Sequence, residues 1–222
     1  MQRAFGLEIP ETLEEACVPS RTALIVYDMQ VGVVRQIPTA DVITRRVAEV
    51  LRAAREAGVR VVFTRHLSLP KELMGIFQLR MAMAWQRVTN VDQVQPWFLR
   101  DSPGLQLVPE LTPLVSEAVF DKITMSAFEG TPLDIALRDC GITSIVICGI
   151  AMEIGIELTV RHAADLGYVP IVVTDACGAG HAEAAQRSIA GLRFTGDALL
   201  TTTSEIAAVL QASRPANDLV RA

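Results

Sequence analysis

Short apolar runs alternate with amphipathic segments through most of this chain. TALIVYD, over 22–28, is an apolar run that ends on an acidic residue, which predicts a buried strand. The segment over 40–58 carries apolar residues at helical spacing and ends at Gly58, which predicts an amphipathic helix. The next apolar run, over 59–66, predicts a second strand.

The same alternation returns in the second half of the chain. It predicts four more strands and four more helices: strands over 118–122, 144–150, 168–176 and 198–202, and helices over 131–141, 153–167, 181–192 and 204–213. Strands that alternate with helices are typical of a parallel sheet covered on both faces. We therefore expect an α/β fold with a parallel sheet of about six strands.

One segment, over 67–116, departs from this alternation. It is rich in methionine and aromatic residues and looks partly helical. It could form a lid over a pocket, a subunit interface, or an ordinary helix packed on the core. Around it we expect an N-terminal arm over 1–20, one domain over 21–213 and a C-terminal tail over 214–222.

Composition narrows the class of protein. The chain has 222 residues, of which 50% are hydrophobic and 20% charged, and its net charge is −5. These values predict one large core and argue against a disordered chain or a nucleic-acid binder. No apolar run reaches the roughly 18 residues of a membrane span, and the four scattered cysteines form no disulfide framework. We expect a cytoplasmic protein with reduced thiols that binds neither nucleic acid nor membranes.

Candidate chemistry falls at the ends of the predicted strands. Asp28 follows the first strand, Lys122 follows the third, and a turn over 149–155 follows the fourth. In sheets of this kind ligands bind at the carboxyl ends of the strands. Lys122 is also one of only two lysines, against 18 arginines. The positions alone therefore predict a pocket that contains a carboxylate and an ammonium group.

Three motifs that contain these residues resemble the isochorismatase-like superfamily of hydrolases. They are YDMQ at 27–30, DKITMSAFEGTPL at 121–133 and GIAMEIGIELTVRHAADLGY at 149–168. The superfamily includes isochorismatases, nicotinamidases and N-carbamoylsarcosine amidohydrolase. The resemblance covers about residues 21–213, and it implies a three-layer α/β/α fold, a small-molecule substrate and a homo-oligomer, either dimer or tetramer.

The resemblance also implies catalytic roles. It matches the superfamily's catalytic aspartate to Asp28 and its lysine to Lys122. The position of the nucleophilic cysteine matches Gly155, which has no thiol. The bond between Ile150 and Ala151 matches a cis peptide whose backbone would bind a developing oxyanion or a carboxylate.

Further residues receive provisional roles. Gln30 could orient a ligand or water, or could bridge backbone groups within the fold. Phe128 resembles a pocket aromatic of the superfamily, although a core position is also compatible with the sequence. Glu153 could be an additional base or a first-turn residue favoured by the helix dipole. An anionic substrate would need a counter-charge from an arginine, for which the candidates are Arg35, Arg65, Arg80 and Arg87.

Without a thiol, the resemblance favours hydrolysis that needs no covalent intermediate. In vinyl-ether hydrolysis of an isochorismate-like substrate, Asp28 would be the general acid/base and Lys122 its electrostatic partner, with Gly155 leaving space for water or substrate. Hydrolysis of a C–N bond by Asp28-activated water is one alternative, and a non-catalytic relative that binds a small molecule or a protein partner is another. We expect no cofactor. We also expect no metal, because metal-binding amidases of this superfamily use an aspartate and two histidines after the second strand, where this chain has only His66.

Overall fold

The computed structural model describes residues 1–213, so the predicted tail over 214–222 lies outside the described residues. Two short strands, β1 (Gln2–Ala4) and β2 (Leu7–Ile9), pair antiparallel in the N-terminal arm. The main sheet has six parallel strands, which are β3 (Thr22–Tyr27), β4 (Arg60–His66), β5 (Ala118–Lys122), β6 (Ser144–Ile150), β7 (Val169–Gly178) and β8 (Leu199–Thr201). Their order across the sheet is β5-β4-β3-β6-β7-β8. All six were predicted from the apolar runs.

Helices cover both faces of this sheet. They are α1 (Leu13–Ala16), α2 (Val31–Val34), α3 (Ala40–Glu56), α4 (Ile76–Gln86), α5 (Leu133–Asp139), α6 (Glu157–Asp165), α7 (Ala182–Thr195) and α8 (Thr203–Ala212). Successive residues of a strand point to opposite faces, so Leu24 and Val26 enter one apolar core and Ala23 and Ile25 enter the other. The first core includes buried residues of α3 and α8, and the second includes those of α5, α6 and α7. The fold is therefore the expected three-layer α/β/α arrangement.

The end of the predicted arm over 1–20 packs on the domain, where Ala16 and Cys17 are buried in the first core. One local feature differs from the sequence prediction. The helix predicted over 153–167 begins as a π-helical turn, Met152–Ile156, and becomes α-helical only at Glu157. In that turn the backbone N–H groups of residues 154, 155 and 156 all donate to the Ala151 carbonyl, at 3.1–3.3 Å. This wider turn places Gly155 just before the N-terminus of α6.

None of the helices within residues 1–213 is long and apolar enough to cross a lipid bilayer.

Candidate functional site

The strand order creates a crevice at the carboxyl end of the sheet. From β3 the chain proceeds to β4 and β5 on one side, and it then returns to β6 on the other side of β3. Connections that leave adjacent strands in opposite directions open a crevice between them, which is where ligands bind in such folds. A cavity of about 390 Å³ lies here and is lined by Asp28 and by the turn that follows β6.

Asp28 and Lys122 form a buried ion pair beside this cavity. The Lys122 Nζ lies 2.7 Å from Asp28 Oδ2, and both residues are at most 5% exposed. The Thr64 hydroxyl donates to the other oxygen, Oδ1, at 2.7 Å. Lys122 is on β5 and reaches across β4 to meet Asp28 at the end of β3. Burial lowers the pKa of the Lys122 ammonium, while the Asp28 carboxylate acts in the opposite direction.

The backbone of Asp28 adopts a left-handed conformation, with φ of 46°. Its N–H donates to both the carbonyl and the hydroxyl of Thr64, at 3.2 Å each. A non-glycine residue in this conformation carries strain that the surrounding structure must hold, and such residues cluster at functional sites. The conformation and the two hydrogen bonds that the carboxylate accepts, from the Thr64 hydroxyl and the Lys122 ammonium, together fix the direction of the carboxylate.

The turn after β6 forms another wall of the cavity. Ile150, Ala151 and Gly155 line it, and the Ile150–Ala151 peptide bond is cis, as the resemblance implied. A side chain at position 155 has no room. A Cβ placed there would overlap the Tyr27 hydroxyl and lie 2.7 Å from Tyr27 Cε1. The Tyr27 hydroxyl, which donates to the Met125 carbonyl, occupies that space instead.

The segment over 67–116 closes the cavity from the side. It supplies Ala84, Trp85, Arg87, Trp97 and Phe98 to the lining. The segment therefore forms part of the cavity wall, while its roles as a lid and as a subunit interface remain predictions.

Among the described residues, two basic groups line the cavity, and only one of them carries a charge near neutral pH. Among the four arginines considered as counter-charges, Arg87 alone is in the lining, and Arg65 is paired with Asp121 at 2.7 Å. His66 also lines the cavity, but burial and then the Lys122 charge lower its pKa to about 4, so its ring is neutral at pH 7. The charge of Lys122 neutralises that of Asp28, so the guanidinium of Arg87 gives the cavity lining a net positive charge.

Known proteins of one family resemble this chain in sequence and in fold. The family model described as the isochorismatase domain matches residues 22–205. The chain belongs to the isochorismatase family. It is 32% identical over 171 residues to the uncharacterized isochorismatase family protein YecD of Escherichia coli O157:H7, with 76% of this chain and 85% of YecD covered. It is 31% identical over 182 residues to the ureidoacrylate amidohydrolase RutB of Cronobacter turicensis, with 75% of this chain and 78% of RutB covered.

Solved structures of the isochorismatase fold superpose on most of the chain. A cysteine hydrolase from Pseudomonas syringae pv. phaseolicola 1448A has a TM-score of 0.77 at 26% identity, with 89% of this chain and 96% of that chain covered. The pyrazinamidase/nicotinamidase of Streptococcus mutans UA159 has the same fold, with a TM-score of 0.68 at 23% identity and coverage of 81% and 99%. The expected α/β fold and hydrolase family are thus confirmed.

Two predicted substrate contacts have other surroundings in this isochorismatase-family chain. The Gln30 amide bridges the backbone of His66, donating to its carbonyl at 3.1 Å and accepting from its N–H at 2.6 Å. Phe128 packs in the second core, where its ring stacks on Tyr168 with centroids 5.6 Å apart. Both side chains are outside the set of described residues that line the cavity. Gln30 holds the end of β3 against β4, and Phe128 supports the second core.

Glu153 is bound to a neighbouring loop. Its Oε1 accepts from the N–H groups of Gly180 and His181, at 2.7 and 2.8 Å. Because Gly180 lines the cavity, Glu153 ties this part of the wall to the π-helical turn. Glu153 is therefore a first-turn residue, as one of its two interpretations from the sequence had it, and it also binds the neighbouring loop.

Sequence reasoning missed Tyr27 and Thr64. Thr64 lies inside a run that was interpreted only as a buried strand, and Tyr27 lies in the YDMQ motif without a role assigned to it. Their roles depend on contacts with Gly155 and Asp28, which are far away along the chain. Polar hydroxyl groups at the carboxyl ends of otherwise apolar strands were the available signal.

Neither thiols nor a cluster of metal ligands are found at the site among the described residues. All four cysteines are free and within the described residues, and none of them lines the cavity. Burial raises the pKa of Cys17 to about 11 and that of Cys148 to about 12. Within residues 1–213, no group of three or more His, Cys, Asp or Glu side chains is placed to hold a metal ion.

Proposed function

We propose that this isochorismatase-family protein hydrolyses a small anionic metabolite without a thiol nucleophile, with Asp28 as the proton-transferring group. The observation that carries the proposal is that a buried carboxylate–ammonium pair and a glycine at the nucleophile position lie on two walls of the same cavity. One wall holds the carboxylate of Asp28 in a buried pair with Lys122. The other has glycine at position 155, where Tyr27 leaves no room for a side chain. Proton transfer is available at this site, whereas thiolate attack is not.

Hydrolysis of an enol ether needs only these groups. Lys122 Nζ lies within hydrogen-bond distance of Asp28 Oδ2, and burial lowers the pKa of this ammonium, which makes it a better proton donor to the pair. Asp28 then protonates the terminal carbon of the enol ether, and the resulting oxocarbenium ion takes up water to form a hemiketal. The hemiketal collapses to a ketone and an alcohol, and the proton released by the water returns to the pair. An isochorismate-like substrate would yield pyruvate in this way.

The lining supports a flat, negatively charged substrate. Trp85, Trp97 and Phe98 offer apolar ring surface, and Arg87 offers a guanidinium with no ion pair among the described residues. A guanidinium binds a carboxylate through two parallel hydrogen bonds. Arg87 is therefore the group that we expect to bind a substrate carboxylate.

The decisive experiment is pyruvate formation from isochorismate by the purified protein. We expect release in the wild type and a loss of about 10²–10⁴-fold in Asp28→Asn, because the amide can accept Lys122 but cannot carry the transferred proton. Asp175→Asn is the matched control. Asp175 is also near the end of a strand, but its carboxylate bonds Thr203. Equal activity in the wild type and Asp28→Asn would contradict the role of Asp28.

Hydrolysis of a C–N bond is the second candidate, and the similarity to the amidohydrolase RutB favours it. In this reaction Asp28 would take a proton from water as the water attacks a ureide or amide carbonyl. We expect ammonia release that iodoacetamide does not inhibit, since the cavity has no thiol. Ammonia without pyruvate would support this reaction. A melting temperature raised by isochorismate, with neither product formed, would support the non-catalytic alternative and would exclude hydrolysis of that substrate.

A further inference from the structure

Tyr27 is the residue closest to the vacant side-chain position of Gly155. It is the last residue of β3, it is 1% exposed, and it lines the cavity. A Cβ on residue 155 would overlap its hydroxyl, so the phenol stands where a side chain at 155 would begin. Burial, and then the Asp28 charge, raise the pKa of Tyr27 well above the usual value for a phenol. The phenol therefore stays protonated and does not replace a thiolate as nucleophile.

The ring of Tyr27 also contacts the catalytic ion pair. Lys122 Nζ lies over its face, 4.3 Å from the centroid. The other partners of this ammonium group are Asp28 Oδ2 at 2.7 Å and the Thr124 carbonyl at 3.3 Å. An ammonium over an aromatic face is attracted by the ring quadrupole, most strongly where both are shielded from water. The ring thus supplies a third attractive surface around a group that is 2% exposed.

We propose that Tyr27 is a positioning residue, whose hydroxyl fills the place of a side chain at position 155 and whose ring holds the Lys122 ammonium against Asp28. Under this proposal, glycine at position 155 has two consequences. It leaves the site without a thiol, and it makes room for the Tyr27 ring beside the Lys122 ammonium. Its catalytic importance rests on the proposed function, in which the Asp28–Lys122 pair carries the transferred proton. The placement of the ammonium itself does not depend on that reaction.

The proposal predicts how Lys122 responds to the electron density of the ring. The ionisable groups around the ammonium are Asp28 at the end of β3, Tyr27 itself, and His66 at the end of β4. Asp28 favours the charged lysine, and the ring face does the same, whereas burial disfavours it. A ring with a weaker quadrupole should let Lys122 lose its proton at lower pH.

Nuclear magnetic resonance can measure this directly, because the chain has only two lysines. Protein labelled with ¹³C at the lysine ε-carbon gives two signals, and Lys71→Arg assigns the remaining one to Lys122. Tyr27→Phe removes the hydroxyl and keeps the ring, and phenylalanines with one, two or three fluorine atoms at position 27 then weaken the ring face at nearly constant volume. We expect the titration midpoint of Lys122 to fall stepwise along the fluorine series. In protein that keeps both lysines, the midpoint of Lys71 should stay constant.

An unchanged Lys122 midpoint across the series would overturn the proposal, and it would do so whether or not the protein hydrolyses isochorismate. Where pyruvate or ammonia release is measurable, the alkaline limb of its pH–rate profile should move to lower pH in parallel with the midpoint. A mere space-filling role would move neither quantity. A stepwise fall of the midpoint in a protein that releases neither product would support the positioning of Lys122 and would count only against the proposed function.

Discussion

Gly155 and Tyr27 show how the absence of one side chain determines the position of another. The two residues are 128 positions apart, and the β3–β6 pairing brings them together. A rigid, buried phenol cannot move away as the end of an exposed side chain could, because its hydroxyl is also bound to the Met125 carbonyl. We therefore expect the effects of substitutions at the two positions to be coupled.

Gly155→Ala tests this dependence. We expect it to lower the free energy of unfolding by about 1–3 kcal/mol, because overpacking a rigid site forces side chains from their preferred positions. Urea denaturation measures the effect. In a Tyr27→Leu background the same alanine should cost much less, so the double-mutant cycle should show strong coupling. Additive effects of the two substitutions would mean that the methyl group is accommodated elsewhere.

Elements rather than single residues form the walls of the cavity. The π-helical turn Met152–Ile156 carries Gly155 into the cavity, and Glu153 on the same turn ties down the loop that contains Gly180. One short element thus supplies a cavity wall and anchors the next one. Its shape is determined by the three N–H groups that share the Ala151 carbonyl.

Glu153→Ala should loosen the adjoining loop. Both amide hydrogen bonds to Oε1 are lost, so we expect faster hydrogen exchange at Gly180 and His181 and a loss of about 1–3 kcal/mol in the free energy of unfolding. In an active enzyme the KM should rise more than kcat falls. Glu153→Gln keeps an acceptor oxygen and should preserve most of the protection. Wild-type exchange rates in Glu153→Ala would show that the loop is held by other contacts.

The sequence predicted the elements of the sheet better than the details of the site. Apolar runs and helix-ending glycines located all six parallel strands, since burial on both faces leaves a clear pattern. The π-helical turn was missed because its residues have helical spacing, and the sharing of the Ala151 carbonyl by three N–H groups leaves no mark in the sequence. The cavity contacts of Trp97 and Phe98 were missed for a related reason, as a loop gives no periodic signal.

At the scale of the whole molecule, the free energy of unfolding depends on pH through the protonation of the His66 ring. The folded-state pKa is about 4, lowered by burial and then by Lys122, against roughly 6.5 in the unfolded chain. Between these values the unfolded chain binds more protons than the native protein. Stability is therefore fully present above about pH 6.5, and it declines as the pH falls toward 4.

The expected loss from this residue is up to about 3 kcal/mol between pH 7 and pH 4. Urea denaturation at a series of pH values measures it, and His66→Gln should flatten the curve through this window. Carboxylates with lowered pKa values, such as Glu117 and Glu205, affect stability mainly at the acidic end. An identical pH dependence in the wild type and His66→Gln would show that the native ring titrates normally.

The central place of β3 in the sheet has a consequence for folding. β3 pairs with β4, about 40 residues later, and with β6, about 120 residues later. Asp28, Thr64, Lys122 and Gly155 lie in or after four different strands, so the site depends on contacts of very high sequence separation. Closing such long loops is entropically costly and slows folding. A chain truncated before β6 would contain Asp28 and Lys122 but would lack the strand that pairs with β3 and the opposite wall of the cavity, so ligand binding requires the assembled sheet.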